Sequence, residues 1–393
     1  MSTPLSRRRF LQGTAALGTA VALSACSDPA TRRATQTTTT SASSSPGSDA
    51  TLVVVTLYGG NDALNTVVPV EDPTYASLRG DLALDPTTTH ALSEGFALHP
   101  SLAKTADLWS AGRLAVVHGV GFPDLDRSHF HCMDEWQAGG DDHASGWLGR
   151  WLDAVGDDPL DAVVVGRQLP LLGRGVERSA AVVPDGAFAL PDEVALRPLL
   201  TTMSGGHRPA PSSQVAQSTG DLLGVIDQVG PLLGGTEADE GDTLSHRLAA
   251  VAALIEADLP TRAYAVDLSS FDTHAGQLAT HAGLLTELDD ALGSFLGRMD
   301  GRPVTVLVYS EFGRRVAPNA SGGTDHGQAG TVLLAGAVAA GHHGDPPPLD
   351  HLADGDLRTT TDFRAVYGGV LEGVLGIDAG DVIADAPKPL ALI

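Results

Sequence analysis

A strand built for burial that runs directly into a polar, glycine-rich turn constrains this chain more than any other feature. It occupies residues 304–327 and reads VTVLVYSEFGRRVAPNASGGTDHG. Residues 304–308 are short and largely β-branched, with Gly301 and Pro303 just before them, as in a parallel sheet covered on both faces. The run ends in Ser310, Glu311, Phe312, Gly313 and Arg314, and Asp325, His326 and Gly327 follow. Acidic and imidazole groups at the carboxyl end of such a strand lie where open α/β sheets keep their ligand crevice. The competing reading pairs Glu311 with Arg314 or Arg315 and gives His326 a turn to cap. What favours the crevice is repetition of the pattern elsewhere.

Residues 52–57 (LVVVTL) are a second buried run, closing on Gly59, Gly60, Asn61 and Asp62. The two glycines permit a sharp bend and close backbone approach. A strand at 114–117 precedes Asp124, Asp126, Arg127, Ser128, His129 and His131, with a helix predicted to run on to Ala138. Ser128 falls at the helix start, where its hydroxyl either caps the helix or serves as nucleophile or ligand. His129 and His131 cannot share one helical face, so one points to the site and the other packs. A strand at 262–268 ends near Asp272 and His274. Further strands are predicted at 162–165 and 331–337. Helices are predicted at 101–112, 147–155, 242–259 and 362–375. The clearest helix carries Leu278, His281, Leu285, Leu288, Leu292, Phe295 and Met299 on one stripe. His281 there reads as a satisfied core histidine, not a ligand. Residues 166–241 lack such regularity and read as an insertion, a cap or loops. His342, His343 and His351 read as surface residues of a Gly/Pro-rich loop.

The 393 residues are 42% hydrophobic and 18% charged, enough for a full core, and the formal net charge is -24. Such a surface repels nucleic-acid phosphates and anionic membranes. Ser6-Arg7-Arg8-Arg9-Phe10-Leu11 resembles a twin-arginine export signal, followed by an apolar stretch too short and weak to span a membrane. Leu23-Ser24-Ala25-Cys26 resembles a lipobox, so residues 1–25 are read as a signal peptide. Cys26 becomes a lipid anchor, unless ordinary cleavage near Ala25 leaves it incidental. Residues 26–50, rich in Ser and Thr, are read as a disordered tether, and residues 51–393 as one domain. An extracytoplasmic, lipid-anchored location follows. Cys132, left without a partner, reads as a buried small hydrophobe.

Four strand ends thus carry candidate ligands: Asp62; the segment around Ser128; Asp272 with His274; and Glu311 with Asp325 and His326. Carboxylates and imidazoles gathered in one crevice are costly unless a cation compensates them. Mixed oxygen and nitrogen ligands point to zinc, manganese or iron, as one ion or two. There is no G-x-S-x-G elbow around Ser128 and no phosphate-binding glycine loop.

The ordered set GGND (59–62), RSHF (127–130), DTH (272–274), SEFGR (310–314) and DHG (325–327) resembles the bacterial domain-of-unknown-function family 1501 over residues 51 to about 377. That family is similar in turn to the alkaline phosphatase and sulfatase superfamily. The resemblance implies a three-layer α/β sandwich with a mostly parallel central sheet and a metal-dependent hydrolase of phosphate or sulfate esters. It implies Ser128 as nucleophile and Asp62 as a ligand from the first strand. Glu311 stands for the superfamily's usual acidic ligand, and Asp272, His274 and His326 surround a second ion. Arg127 or Arg314 would grip the anionic ester, with His129 beside them. Phe312 replaces a histidine usual in the superfamily, and Asp272 and His274 are unusually close. A non-catalytic envelope module, binding a glycan or a protein partner, is the rival reading.

Overall fold

The computed structural model describes residues 50–122, 125–190, 196–205, 212–233 and 243–393. The export signal, Cys26 and nearly all of the tether lie outside them. The strands are β1 (Thr51–Leu57), β2 (Val67–Val68), β3 (His90–Ala91), β4 (Ala97–Leu98), β5 (Leu114–Gly121), β6 (Ala162–Val165), β7 (Ala181–Val183), β8 (Ala263–Leu268), β9 (Val304–Ser310), β10 (Gly330–Gly336), β11 (Gly341–His343) and β12 (Thr361–Asp362). The helices are α1 (Ala63–Thr66), α2 (Tyr75–Arg79), α3 (Ala103–Ser110), α4 (His129–Ala138), α5 (Trp147–Val155), α6 (Leu196–Ser204), α7 (Ser212–Leu233), α8 (Leu244–Glu256), α9 (Gln277–Arg298) and α10 (Phe363–Val370).

Nine strands form one sheet in the order β11-β5-β10-β9-β1-β8-β6-β7, with β12 also pairing β5. Every strand but β10 runs the same way. β1 lies centrally between β8 and β9 and is buried along its whole length. Its side chains alternate. Val53, Val55 and Leu57 enter a core shared with α3, α7, α8 and α9, whereas Leu52 and Val54 enter one shared with α4, α5 and α10. A strand apolar on both faces can only be satisfied by cover on both sides, which makes the sandwich three-layered.

Because β10 is antiparallel, its beginning sits at the edge where β1, β8 and β9 end. This brings the segment 325–327 to the crevice. Helix α4 is clamped to the sheet below. Trp136 stacks on Tyr309 of β9 with centroids 4.9 Å apart, and Tyr367 donates to the Trp136 carbonyl at 2.9 Å. Each such buried aromatic contributes roughly 1.5–3 kcal/mol through burial.

Two expectations change. The stretch 166–241 read as irregular, yet it holds α6 and the 22-residue α7, which includes Pro231. Val225, Val229 and Leu233 of α7 are buried, so tertiary packing supplies what local signals lack. His342 and His343 are not loop residues. They lie on β11, and His342 Nδ1 is 2.8 Å from His118 Nε2. His281 is buried and bonded to Asn61 Oδ1 at 2.9 Å, and Cys132 is buried with its thiol pushed up to about 12 by burial and the Asp126 carboxylate. Among the described residues no helix is long and apolar enough to cross a membrane.

Candidate metal centre

Four short segments meet above the ends of β1, β8 and β9. After β8 the chain turns tightly: Thr273 and His274 donate backbone N–H to the carbonyls of Phe271 and Asp272. That turn lets Asp272 and His274, one residue apart, face the same point, with His274 Nε2 3.0 Å from Asp272 Oδ1. The turn after β1 presses against this segment. Gly59 has φ +120°, and a Cβ there would stand 2.4 Å from the Asp272 backbone nitrogen. Only glycine allows that approach. His326 arrives from the third segment, where Gly327 donates to the Gly313 carbonyl at 2.9 Å. His129 comes from the first turn of α4.

Three imidazoles point Nε2 at one carboxylate oxygen. Asp272 Oδ1 lies 3.0 Å from His274, 3.1 Å from His326 and 3.5 Å from His129. His274 Nε2 and His326 Nε2 are 2.9 Å apart. Ligands about 2.0–2.1 Å from a tetrahedral ion lie about 3.3 Å from one another. Each ring stands near that spacing from Asp272 Oδ1, and the ligand atoms of His129, Asp272 and His326 all lie within 4.8 Å of one another. The opposite ring nitrogens settle the tautomers. His326 Nδ1 is 2.8 Å from the Arg127 carbonyl, which only accepts, so Nδ1 carries the proton. His129 Nδ1 is 2.8 Å from Glu311 Oε1, and His274 Nδ1 is 3.2 Å from Asp325 Oδ1. Both carboxylates accept, which assigns those rings the same way.

All three Nε2 atoms therefore offer lone pairs to each other and to a carboxylate. Extra protons or a cation must lie between them. His129 Nε2 is buried without a hydrogen-bond partner, 3.5 Å from Asp272 Oδ1, which leaves a ligand-type atom for an ion to satisfy. A divalent cation could meet the lone pairs of His129, His326 and Asp272, with His274 Nε2 beside them, and imidazoles held through their other nitrogen by a carboxylate or carbonyl are how proteins aim metal ligands. The residues fit a metal ion. Burial works to raise the pKa of Asp272, but hydrogen bonding and charge from Arg314, then His326 and His274, hold it below the usual carboxylate range. Glu311's hydrogen bond raises His129. Phe312 walls the centre, its ring 4.9 Å from those of both His129 and His326.

The model of a family described as "Protein of unknown function (DUF1501)" matches residues 49–367. The chain belongs to that family. No curated protein matches it. Among solved structures, this DUF1501 chain is similar to the C-terminal periplasmic domain of EcEptC from Escherichia coli, in complex with zinc, at 7% identity and TM-score 0.38, covering 72% of each chain. It is similar to phosphonoacetate hydrolase from Sinorhizobium meliloti at 12% identity and TM-score 0.31, covering 84% of this chain and 62% of the other. It is also similar to the lipoteichoic acid synthase LtaP from Listeria monocytogenes at 12% identity and TM-score 0.32, covering 85% and 74%. The chain thus spans less than two thirds of the phosphonoacetate hydrolase.

Against the motif-based expectations, the DUF1501 chain brings Asp272, His274 and His326 together and adds His129, which the sequence placed among catalytic groups. Glu311 and Asp325, expected as ligands, instead hold histidines from behind. Glu311 also accepts from the Gly59 backbone N–H at 2.8 Å and from Ser310. Asp62 does not join the centre. One oxygen caps α1 through Asn65, and the other is taken by Arg79 and Gln277. Burial alone would raise its pKa, but Arg79 and His281 keep it lowered. Arg314, fully buried on Asp272 and the Phe271 carbonyl, cannot reach a substrate. Arg127 pairs with buried Asp356 and keeps 34% of its side chain exposed. Ser128 occupies the N-cap position of α4, but its hydroxyl makes no cap bond. Its N–H goes to Asp126 Oδ1 at 2.8 Å. The sequence cue for His129 was its place beside Ser128; its imidazole orientation needed the fold.

Proposed function

We propose that this protein is an exported, lipid-anchored, metal-dependent hydrolase of phosphate or sulfate esters, with Ser128 as nucleophile. The observation that carries the reading is the set of three Nε2 atoms aimed at Asp272 Oδ1. His129, Asp272, His274 and His326 would hold the ion. A divalent ion there would polarise an ester oxygen and stabilise charge developing on it. Ser128 adjoins His129 in the chain, and its hydroxyl is not spent on capping. Arg127 has N–H groups left after its pairing with Asp356, and a planar guanidinium suits phosphate or sulfate oxygens. Glu311 and Asp325 fix the rings, and Phe312 keeps one flank dry. Export and the Cys26 lipid rest on the motifs near the N-terminus.

One observation favours the rival, a non-catalytic envelope module. Asp62 is consumed by Arg79, which leaves ligands for one ion where the superfamily resemblance implied two. Protein loaded with zinc, manganese or iron(II) should turn over an aryl phosphate or an aryl sulfate. Ser128→Ala should abolish turnover while metal content stays the same. Absence of turnover with every ion, or full activity in Ser128→Ala, refutes the serine mechanism.

A further inference from the structure

Helix α4 carries a second group of ligand-type side chains, away from the first. His131 and Glu135 are four residues apart and therefore share a face of the helix. His129, two residues from His131, is on another face and serves the first centre. The third member, His143, comes from the loop between α4 and α5. His143 Nε2 is 3.2 Å and His131 Nε2 3.6 Å from Glu135 Oε1, and the three ligand atoms all lie within 4.8 Å of one another.

We propose that His131, Glu135 and His143 form a second site for a divalent transition-metal ion, independent of the ester chemistry. Three features point to an ion and not to a chance cluster. The Glu135 side chain is only 12% exposed, yet among the described residues no Arg or Lys pairs with it. A buried carboxylate without a fixed cation is costly. His131 Nδ1 is 3.0 Å from Asp126 Oδ2, so the accepting carboxylate keeps the proton on Nδ1 and turns the Nε2 lone pair toward Glu135. The separations from Glu135 Oε1 bracket the roughly 3.3 Å expected between ligands of a tetrahedral ion. Two imidazoles and one carboxylate suit zinc better than calcium or magnesium. The site would tie the start of α4 to the loop that follows it, and so brace the helix that presents His129.

The test counts ions on the full, untagged protein. After equilibration with micromolar zinc and gel filtration, elemental analysis should find two zinc ions per chain. His143→Ala and Glu135→Gln should each retain one, His326→Ala one, and the His143→Ala/His326→Ala double variant none. Excess zinc should raise the melting temperature of His326→Ala but not of the double variant. Wild type and both second-site variants binding the same number of ions overturns the proposal. A melting temperature of His326→Ala indifferent to zinc does so as well. His143 lies in a partly exposed loop and Glu135→Gln keeps the side-chain shape, so a folding failure of one variant leaves the other as the measurement. The His326→Ala count reports on the first centre separately.

Discussion

Glu311 and Asp325 stand behind two ligand histidines in the same way but in opposite environments, so neutralising each should have very different consequences. The Glu311 side chain is 1% exposed and lies 2.8 Å from His129 Nδ1, whereas Asp325 is 64% exposed and 3.2 Å from His274 Nδ1. Groups that orient a metal-bound histidine typically contribute ten- to a hundredfold in affinity, or about 1.4–2.7 kcal/mol. Glu311→Gln should show that full range. The amide oxygen can still accept from Gly59 and His129, while Ser310 can accept from the amide, so the fold is kept and only the charge is lost. For Asp325→Asn, solvent screening limits the loss to at most about 1 kcal/mol, or roughly fivefold. Competition against a chromophoric chelator, with zinc and at fixed pH, measures both. Equal losses in the two variants would refute the argument from burial. Complete loss of the ion in Asp325→Asn would make Asp325 a ligand and refute the assignment itself.

Three further outcomes follow from the same structure. Arg79→Met leaves the buried Asp62 carboxylate without its cation and should cost about 3–5 kcal/mol, read as a drop in the urea midpoint; a change within error would mean the pair is solvated. Gly59→Ala forces a side chain into a backbone contact at positive φ, so it should cost at least about 1–3 kcal/mol and loosen metal binding through Asp272; an unchanged melting temperature contradicts the close approach. Burial depresses His281 to about 4, with His99 also lowered to about 4 and His118 to about 3. The unfolded chain therefore takes up protons first, and the stability these groups contribute is complete above about pH 6.5 and lost as pH falls toward 4. Each should cost about 2 kcal/mol between pH 7 and 5, measured in chelator to remove metal effects. Stability that stays flat or rises over that interval would show these rings to be hydrated.

The strands were legible because their cause is local. Runs such as 52–57 and 304–308 are largely apolar and β-branched, short and bounded by Gly or Pro, as a strand covered on both faces requires. Their polar ends marked the crevice, and the motif set carried the family. The apolar stripe on α9 was equally plain, since a 3.6-residue period places His281 inward with Leu285, Leu288 and Leu292. Helix α7 was not legible: its glycines, serines and Pro231 weaken every local signal, and burial of Val225, Val229 and Leu233 decides it.

The sequence by itself determined a mostly parallel α/β sandwich and the short list of residues able to bind an ion. Only the tertiary structure divided that list. Asp62, Asp272, Glu311 and Asp325 are the same chemistry on paper. Arg79 and Gln277, packed beneath the first strand's turn, take Asp62 away from the crevice, while Asp272 Oδ1, which Arg314 also reaches at 2.8 Å, still faces three rings. Glu311 and Asp325 meet ring nitrogens on the far side. A carboxylate's role depends on which donor reaches it within about 3 Å, and that is fixed by how distant segments cross, not by their order in the chain.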